Sequence, residues 1–213
     1  MESEHTLIEI AQEIRQCRNC GLADTRKNAV PGEGSSSAEI MLIGEGPGFY
    51  ENEQGRPFVG QAGKFLNELL VNGGLKREDV FITNVVKCRP PGNRDPQEVE
   101  LTACAGYLEQ QIEAIKPLII LTLGRFSMAR YFQKAKISAI HGQAAWVGSR
   151  LIVAMYHPAA GLHQPNLKAD IMHDFSCLPD LIEKARKERA EKVDGSEPVS
   201  KDYQEDATQL KFF

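Results

Sequence analysis

The feature that most constrains this chain is a series of four short apolar runs, each separated from the next by a helical pattern. The runs occupy residues 40–43, 80–84, 118–123 and 151–155. Apolar runs of this length, bounded by turn residues, are typical of strands that are buried on both faces. Strands that alternate with helices predict an α/β domain in which helices cover both faces of a parallel sheet.

The helices are predicted from apolar spacing and from residues that begin or end helices. We expect an N-terminal amphipathic helix that leads into Cys17, and a helix over 61–72 that Gly73 and Gly74 close. Asp95 is the predicted N-cap of a helix that ends before Pro117. Two further helices are predicted at about 125–132 and 167–189. Ligands of parallel sheets bind beyond the carboxyl ends of the strands, which directs attention to the loops 44–60, 84–94, 124–125 and 156–165.

Composition sets limits on partners and location. The net charge of −4 argues mildly against nucleic acid as a partner, so any DNA-binding surface must be a local patch. No apolar run approaches the roughly 20 residues that a membrane span needs. The first residues also lack the basic start and apolar core of a signal peptide. We therefore expect a cytoplasmic protein that does not bind a membrane, with a monomer as the default state.

The cysteines suggest a metal site. Five cysteines in a protein without an export signal point to metal ligands or free thiols rather than to disulfides. Cys17 and Cys20 form a CxxC pair, and the fold could bring Cys88 and Cys104 to them as a four-sulfur site. The alternative for each cysteine is a buried, unreactive thiol, and this is the interpretation that we favour for Cys177.

Several polar or aromatic side chains lie in loops at the carboxyl ends of the strands: Glu45, Glu51, Phe58, Asn84 and His157. Carboxylates at such positions suit general-base work or the stabilisation of a cation. A buried amide such as Asn84 must bond to backbone or ligand. Each residue also has an ordinary interpretation, such as a solvated glutamate, a structural histidine or, for Phe58, a hydrophobic staple under the next helix.

Taken together and in order, these segments resemble the family 4 uracil-DNA glycosylases over roughly residues 7–183. The matching motifs are Gly-Glu-Gly-Pro-Gly at 44–48, Gly-Arg-Pro-Phe-Val-Gly-Gln-Ala-Gly at 55–63, Thr-Asn-Val-Val-Lys-Cys-Arg-Pro-Pro-Gly-Asn-Arg at 83–94 and His-Pro-Ala-Ala at 157–160. The resemblance implies a three-layer α/β/α sandwich on a four-stranded parallel sheet. It also implies excision of uracil from DNA in base excision repair.

The resemblance further implies a role for individual residues. A structural [4Fe–4S] cluster is expected on Cys17, Cys20, Cys88 and Cys104. A flipped uracil is expected to stack on Phe58, to pair with the Asn84 amide and to accept a hydrogen bond at O2 from His157. Glu45 and Glu51 stand where the family keeps pocket carboxylates, and Gly46 lies against the uracil.

This chain departs from related patterns at two positions. Uracil-DNA glycosylases of the common type carry an Asp where this chain has Gly46, so water activation must fall to another group. We favour Glu45, with Glu51 either assisting it or blocking the thymine methyl group. In the stretch after His157-Pro158, this chain has His163 at a position where related sequences commonly carry an Arg. The neighbouring Leu162 is either a wedge that fills the vacated base stack or an ordinary leucine.

Three basic residues are further candidates for DNA contacts. Lys87, Arg89 and Arg94 bracket the loop beside the expected pocket and could contact phosphates.

The chain is expected to divide into a glycosylase domain with its cluster at 1–189 and a disordered tail at 190–213. The tail is polar until its last five residues, 209–213, which read Gln-Leu-Lys-Phe-Phe. These resemble the short peptides that bind the replication sliding clamp, through Gln209, Leu210, Phe212 and Phe213. The alternative is a tail that folds back onto the domain.

Two other functions compete with the enzyme. One is a protein that binds uracil-containing DNA and captures its product covalently. Such relatives carry a nucleophilic histidine in an inserted basic loop, and residues 88–94 contain no histidine. The other is an iron–sulfur electron carrier, which would leave Phe58, Asn84 and His157 without a role.

Overall fold

A computed structural model describes residues 2–194 and 209–210 of the chain. The strands are β1 Glu33–Gly34, β2 Ile40–Gly44, β3 Phe81–Asn84, β4 Ile119–Leu123, β5 Ala144–Val147, β6 Arg150–Met155 and β7 Gln209–Leu210. They form one sheet in the order β1-β3-β2-β4-β6-β5-β7. The central strands β3, β2, β4 and β6 are parallel to one another, whereas β1, β5 and β7 pair antiparallel.

The four parallel strands are the four apolar runs of the sequence, and the predicted α/β sandwich is confirmed. The sheet is nevertheless wider than the predicted four strands. The added edge strands were not predicted because they lack a long apolar run. Two of them contain only two residues each, and β5 is a four-residue Ala-Ala-Trp-Val segment.

Helices cover both faces of the sheet in the described residues. They are α1 Glu2–Gln16, α2 Leu22–Thr25, α3 Phe49–Gln54, α4 Gln61–Asn72, α5 Glu98–Ile115, α6 Arg125–Met128, α7 Ile137–Ile140, α8 Pro158–His163, α9 Leu167–Ser176 and α10 Leu178–Asp194. One apolar cluster packs the sheet against α4, α9 and α10, and a second packs it against α5 and α6. A third cluster holds α1 beside the loop that follows β3. None of the described helices is long and apolar enough to cross a membrane.

Three predicted helix boundaries are wrong. The helix expected at about 125–132 ends at Met128. The helix expected to begin at Asp95 begins at Glu98, because Gln97 takes the N-cap position and its N–H donates to the Glu100 carboxylate at 2.8 Å. Asp95 instead pairs with Arg125. The single helix expected over 167–189 is two helices that meet at Cys177, and the second continues to Asp194.

The predicted disordered tail falls largely on residues 195–208 and 211–213, which lie outside the described residues. Gln209 and Leu210 form β7, where Leu210 is opposite Ala144 and Gln209 is opposite Ala145 of β5. For these two residues, the observed pairing corresponds to the alternative of a tail that folds back onto the domain.

Candidate active site

A cavity of about 370 Å³ opens at the carboxyl edge of the parallel strands. The loops that follow β2, β3 and β6 meet there, as expected for a parallel sheet. The predicted site residues that line the cavity are Glu45, Gly46, Glu51, Phe58, Asn84, Arg94, His157 and His163. The folded chain therefore brings together side chains that are more than 110 positions apart in the sequence.

Asn84 is the last residue of β3 and carries an unsatisfied acceptor. Its side chain is 1% exposed, and its Oδ1 atom has no hydrogen-bond partner. Gly44 is the paired residue on β2, and a Cβ atom there would lie 2.4 Å from Oδ1 and 2.8 Å from the Phe58 ring. A buried acceptor without a partner costs about 1–3 kcal/mol, so this position is built for a ligand that brings an N–H donor.

The Phe58 ring forms a wall of the cavity together with His157. The two rings are stacked, with centroids 5.5 Å apart and planes 26° apart. Phe58 adopts a φ of +50°, a conformation that costs a non-glycine residue of order 1 kcal/mol or more. Gly63 permits this arrangement, because a Cβ atom there would lie 1.8 Å from the Phe58 carbonyl oxygen. The ring is thus held in place at an energetic cost and is more than a staple under α4.

His157 is neutral, and its tautomer is defined. It is the N-cap of α8, and its Nδ1 atom accepts a hydrogen bond from the Ala159 N–H at 3.1 Å. Burial lowers the pKa of His157 from 6.5 to about 4, while the Glu51 carboxylate opposes that shift. At neutral pH the ring therefore carries its single proton on Nε2, which is a donor.

Glu45 is a carboxylate partly removed from water. Burial raises the pKa of Glu45 above its usual value, and backbone N–H groups of Phe126 and Arg125 oppose the shift. The Phe126 N–H donates to Oε1 at 3.2 Å. Gly124, with a φ of +100°, permits this approach because a Cβ atom there would lie 2.5 Å from Oε1. A partly desolvated carboxylate that accepts from backbone N–H groups keeps acceptor capacity for a further proton.

Glu51 is held differently. Its Oε1 atom accepts from the Val59 and Gly60 N–H groups, each at 2.9 Å, and Oε2 accepts from the Gly48 N–H at 3.1 Å. Three backbone bonds fasten the loop before α3 to the loop that carries Phe58. This carboxylate is therefore a structural tie between two walls of the cavity.

One predicted DNA contact is wrong. Lys87 is 1% exposed, and its Nζ atom donates to Thr83 Oγ1 at 2.6 Å, to the Asn84 carbonyl at 2.8 Å and to Gln111 Oε1 at 2.7 Å. Burial lowers the pKa of Lys87 to about 7. The side chain turns inward after the strand and braces the backbone of Asn84, so it cannot reach a phosphate.

The other predicted DNA contacts lie at or near the surface of the domain. Arg94 pairs with the Glu100 carboxylate at 2.6 Å, and Arg89 donates from Nε to Asn93 Oδ1 at 2.7 Å. Leu162 is 45% exposed on α8, next to His163 at the cavity.

Sequence reasoning missed two features of the site. One is the donor role of the Ala159 N–H toward His157, which no side-chain pattern signals. The other is an exposed aromatic pair beside the cavity, Phe49 and Tyr50. Adjacent aromatic residues between a Gly-Pro-Gly turn and an acidic segment are a signal that could have identified this pair.

The four predicted cluster cysteines lie together away from the active-site cavity. Cys17, Cys20, Cys88 and Cys104 line one small cavity between α1, α5 and the loop after β3. As the side chains stand in residues 2–194, no three or more of His, Cys, Asp and Glu are grouped closely enough to hold a metal ion.

Hydrogen-bond donors lie beside three of the four sulfur atoms of this cysteine group. Arg26 Nη1 lies 3.2 Å from Cys88 Sγ, and the Lys87 N–H lies 3.3 Å from Cys104 Sγ. The Asn19 N–H lies 3.5 Å from Cys17 Sγ. Four thiols, three of them beside N–H donors, fit an iron–sulfur site chemically, because such clusters are bound by cysteine thiolates and tuned by hydrogen bonds to sulfur.

Comparisons with known proteins agree on one family. A family model described as the uracil DNA glycosylase superfamily matches residues 31–176. The chain is 52% identical over 186 residues to a type-4 uracil-DNA glycosylase of Saccharolobus solfataricus, an alignment that covers 81% of this chain and 85% of the relative. It is 45% identical over 188 residues to a type-4 uracil-DNA glycosylase of Archaeoglobus fulgidus, covering 84% and 94%. A type-5 uracil-DNA glycosylase of Thermus thermophilus is 33% identical over 149 residues, covering 60% of this chain and 68% of the relative.

Proposed function

The chain belongs to the uracil DNA glycosylase superfamily, two type-4 members of which align with 81% and 84% of it, and we propose that its cavity binds a uracil flipped out of DNA. The protein is a uracil-DNA glycosylase that hydrolyses the N-glycosidic bond and acts in DNA repair. Because a base inside a duplex is unreachable, the enzyme must extrude it, at an unstacking cost of a few kcal/mol.

The observation that carries the proposal for this cavity is the unsatisfied Oδ1 atom of Asn84. In this pose, Oδ1 accepts the N3–H of uracil and the amide N–H group donates to O4. Cytosine presents an acceptor at N3 and an amino group at C4, so it would leave the buried amide unpaired. A site built on such hydrogen bonds rejects the wrong base by orders of magnitude.

Phe58 supplies the stacking surface in this pose. Its ring is already fixed beside His157 at a centroid distance of 5.5 Å. A rigid aromatic face orients the base without a further loss of side-chain freedom, and base–aromatic stacking contributes about 1–3 kcal/mol.

The bond is broken by hydrolysis in which water is the nucleophile. The N-glycosidic electron pair leaves with uracil, and the Nε2–H of neutral His157 donates to O2 as negative charge develops there. Water attacks the sugar carbon, and Glu45 accepts a proton from that water. A preorganised donor of this kind typically contributes about 100- to 1000-fold to the rate.

Glu51 acts as a positioning residue in this mechanism. Its two oxygens are engaged by three backbone N–H groups, which supports a role in holding Phe58 rather than in activating water. These bonds support the choice of Glu45, rather than Glu51, as the proposed proton acceptor.

The four grouped cysteines Cys17, Cys20, Cys88 and Cys104 are proposed to hold a structural [4Fe–4S] cluster. When bound, the cluster would cross-link α1, α5 and the loop that follows β3. Support comes from the shared cavity and from the N–H donors at three of the sulfurs.

The remaining proposals concern partners and location. Arg89, Arg94, Leu162 and His163 are proposed to contact DNA around the extruded nucleotide. Residues 1–189 would act as the glycosylase domain in a cytoplasmic monomer. Residues 209–213 are proposed to bind the sliding clamp, which would require Gln209 and Leu210 to leave their pairing with β5. Unchanged clamp binding after deletion of residues 209–213 would refute that role.

The test is the release of free uracil from a single-site uracil oligonucleotide in excess over enzyme. Wild type is expected to turn over many times, and Asn84→Ala to lose about 100- to 1000-fold in kcat/KM. Asn67→Ala, on the exposed face of α4, is the matched control and should keep full activity. Equal activity of Asn84→Ala and wild type would reject the proposed uracil pose.

The same variant separates function from stability. Because Oδ1 has no partner, Asn84→Ala should leave the free energy of unfolding unchanged or raise it by about 1 kcal/mol. Thr83→Ala is the contrast, since Thr83 Oγ1 donates to the Pro31 carbonyl at 2.9 Å and accepts from the buried Lys87 Nζ at 2.6 Å, and its loss should cost about 1–3 kcal/mol.

A further inference from the structure

We infer that Phe49, Tyr50 and Arg89 form a stacking surface for the nucleobase adjacent to the flipped uracil in the same DNA strand. We call these three residues the aromatic platform. The inference rests on the proposed uracil site, because the platform acts on the nucleotide next to the one in the cavity.

The two rings are exposed to an unusual degree for large apolar side chains. Phe49 is 51% exposed and Tyr50 is 56% exposed. They pack edge to face, with centroids 5.5 Å apart and planes 85° apart. Two neighbouring exposed aromatic rings usually mark a binding surface, whereas apolar side chains exposed singly carry no such meaning.

The platform is continuous with the cavity. Phe49 begins α3 directly after Gly48, which lines the cavity. Tyr50 packs against Gly60, since a Cβ atom added at Gly60 would lie 3.3 Å from the Tyr50 ring. Gly60 belongs to the loop that Glu51 fastens beside Phe58. These rings would therefore lie close to a nucleotide that is next to the uracil in the strand.

Arg89 gives the platform a positive charge. Its guanidinium lies 5.3 Å from the centroid of the Phe49 ring, and its Nε donates to Asn93 Oδ1 at 2.7 Å. Asn93 itself lines the cavity. Within residues 2–194 no carboxylate pairs with Arg89 at salt-bridge distance, so its charge remains available to an anionic strand. On a chain with a net charge of −4, a cation over the exposed Phe49 ring marks a local preference for DNA.

A nucleobase fits this combination better than another apolar ligand. Flipping the uracil breaks the stacking of its neighbours and exposes a base face at the cavity mouth. Aromatic side chains recover that stacking for any base, worth about 1–3 kcal/mol per base, and arginine adds a cation–π contribution. The platform should therefore support binding without selecting a sequence.

The test compares Phe49→Ala/Tyr50→Ala with wild type in steady-state release of uracil from single-stranded DNA. We expect KM to rise about 5- to 100-fold, kcat to stay within about twofold, and the inhibition constant of free uracil to be unchanged. The control variant Val71→Ala removes a 76% exposed apolar side chain from α4, and its KM and kcat should equal those of wild type. The conservative variant Phe49→Tyr/Tyr50→Phe should restore the wild-type KM.

A second substrate identifies what the platform contacts. One oligonucleotide lacks the base on the 5′ side of the uracil, and another lacks the base on its 3′ side. With one of these two substrates, wild type and the double variant should have the same KM. An unchanged KM in the double variant overturns the inference, and so does a KM effect that persists with both substrates. Absence of uracil release by wild type would instead overturn the proposed function itself.

Discussion

The backbone N–H of Ala159 donates to Nδ1 of His157 at 3.1 Å, and this bond determines which nitrogen of the ring can face a substrate. Because Nδ1 acts as the acceptor, the proton of the neutral ring lies on Nε2. Burial removes the competing cationic form at neutral pH by lowering the pKa of His157 to about 4. The ring is therefore a preorganised neutral donor.

The first prediction is that His157 does not titrate near neutrality. Nitrogen-15 NMR of the imidazole should show an Nε2–H tautomer from pH 8 to about pH 5, with a midpoint near 4. Since the folded protein binds this proton less tightly than the unfolded chain, the His157 contribution to the free energy of unfolding should fall as pH drops from 6.5 towards 4. A midpoint near 6.5, or a proton on Nδ1, would contradict the assigned role.

The second prediction concerns Glu45. Glu45→Gln should lower kcat by about 100- to 10,000-fold, the usual contribution of a general base. In the wild type, kcat should decline on the acid side around a pKa that is raised above 4.5, because only the carboxylate accepts a proton. The pH–rate profile of the variant should lack that acid limb.

The stability of Glu45→Gln provides the control on this assignment. A raised pKa means that the folded protein binds the proton more tightly, so the Glu45 contribution to stability falls as pH rises through that pKa. Glu45→Gln should accordingly be at least as stable as wild type at pH 7, measured by denaturant unfolding. A variant that unfolds more easily and keeps its acid limb would assign Glu45 a structural role.

The third prediction gives Glu51 the opposite signature. Glu51→Gln turns an amide N–H toward one of three backbone donors, and it should cost about 1–3 kcal/mol in the free energy of unfolding. Its matched control is Glu53→Gln, two positions along α3, where the lost surface pair with Lys27 should cost no more than about 1 kcal/mol. Equal unfolding curves for the two variants would show that the Glu51 bonds do not hold the loops.

The fourth prediction concerns the cysteine group. Anaerobically purified wild type should contain about four iron and four sulfide per chain, as a [4Fe–4S] cluster requires. Cys104→Ser should lose iron and unfold at lower temperature, because metal binding stabilises only the folded state. Cys177→Ser should keep both, since Cys177 lies at the junction of α9 and α10, apart from the other four. Iron-free wild type, or full iron in Cys104→Ser, would refute the cluster.

Much of this architecture could be predicted because strands buried on both faces must be apolar. The four central strands follow directly from that requirement, and the sheet then places Gly44, Asn84 and Met155 at one edge. The short edge strands could not be predicted, because two-residue pairings depend on their neighbours rather than on their own pattern.

For residues in the loop that follows a strand, it was harder to predict whether a side chain points to solvent or into the protein. Lys87 reads as a surface cation in the sequence, yet it is buried under Asn84 because three acceptors converge on its Nζ atom. Those acceptors come from β3 and α5, which are far apart in the sequence. The same reason hid the backbone bonds of Glu51, since backbone donors leave no trace in residue type.

The most direct test of the central claim measures free base and abasic sites together on two matched duplexes, with uracil or cytosine at one position opposite guanine. The wild-type enzyme should release uracil over many turnovers, with one abasic site per uracil released, and leave cytosine in place. Release of cytosine at a comparable rate, or a single turnover that leaves the protein bound to DNA, would contradict the account.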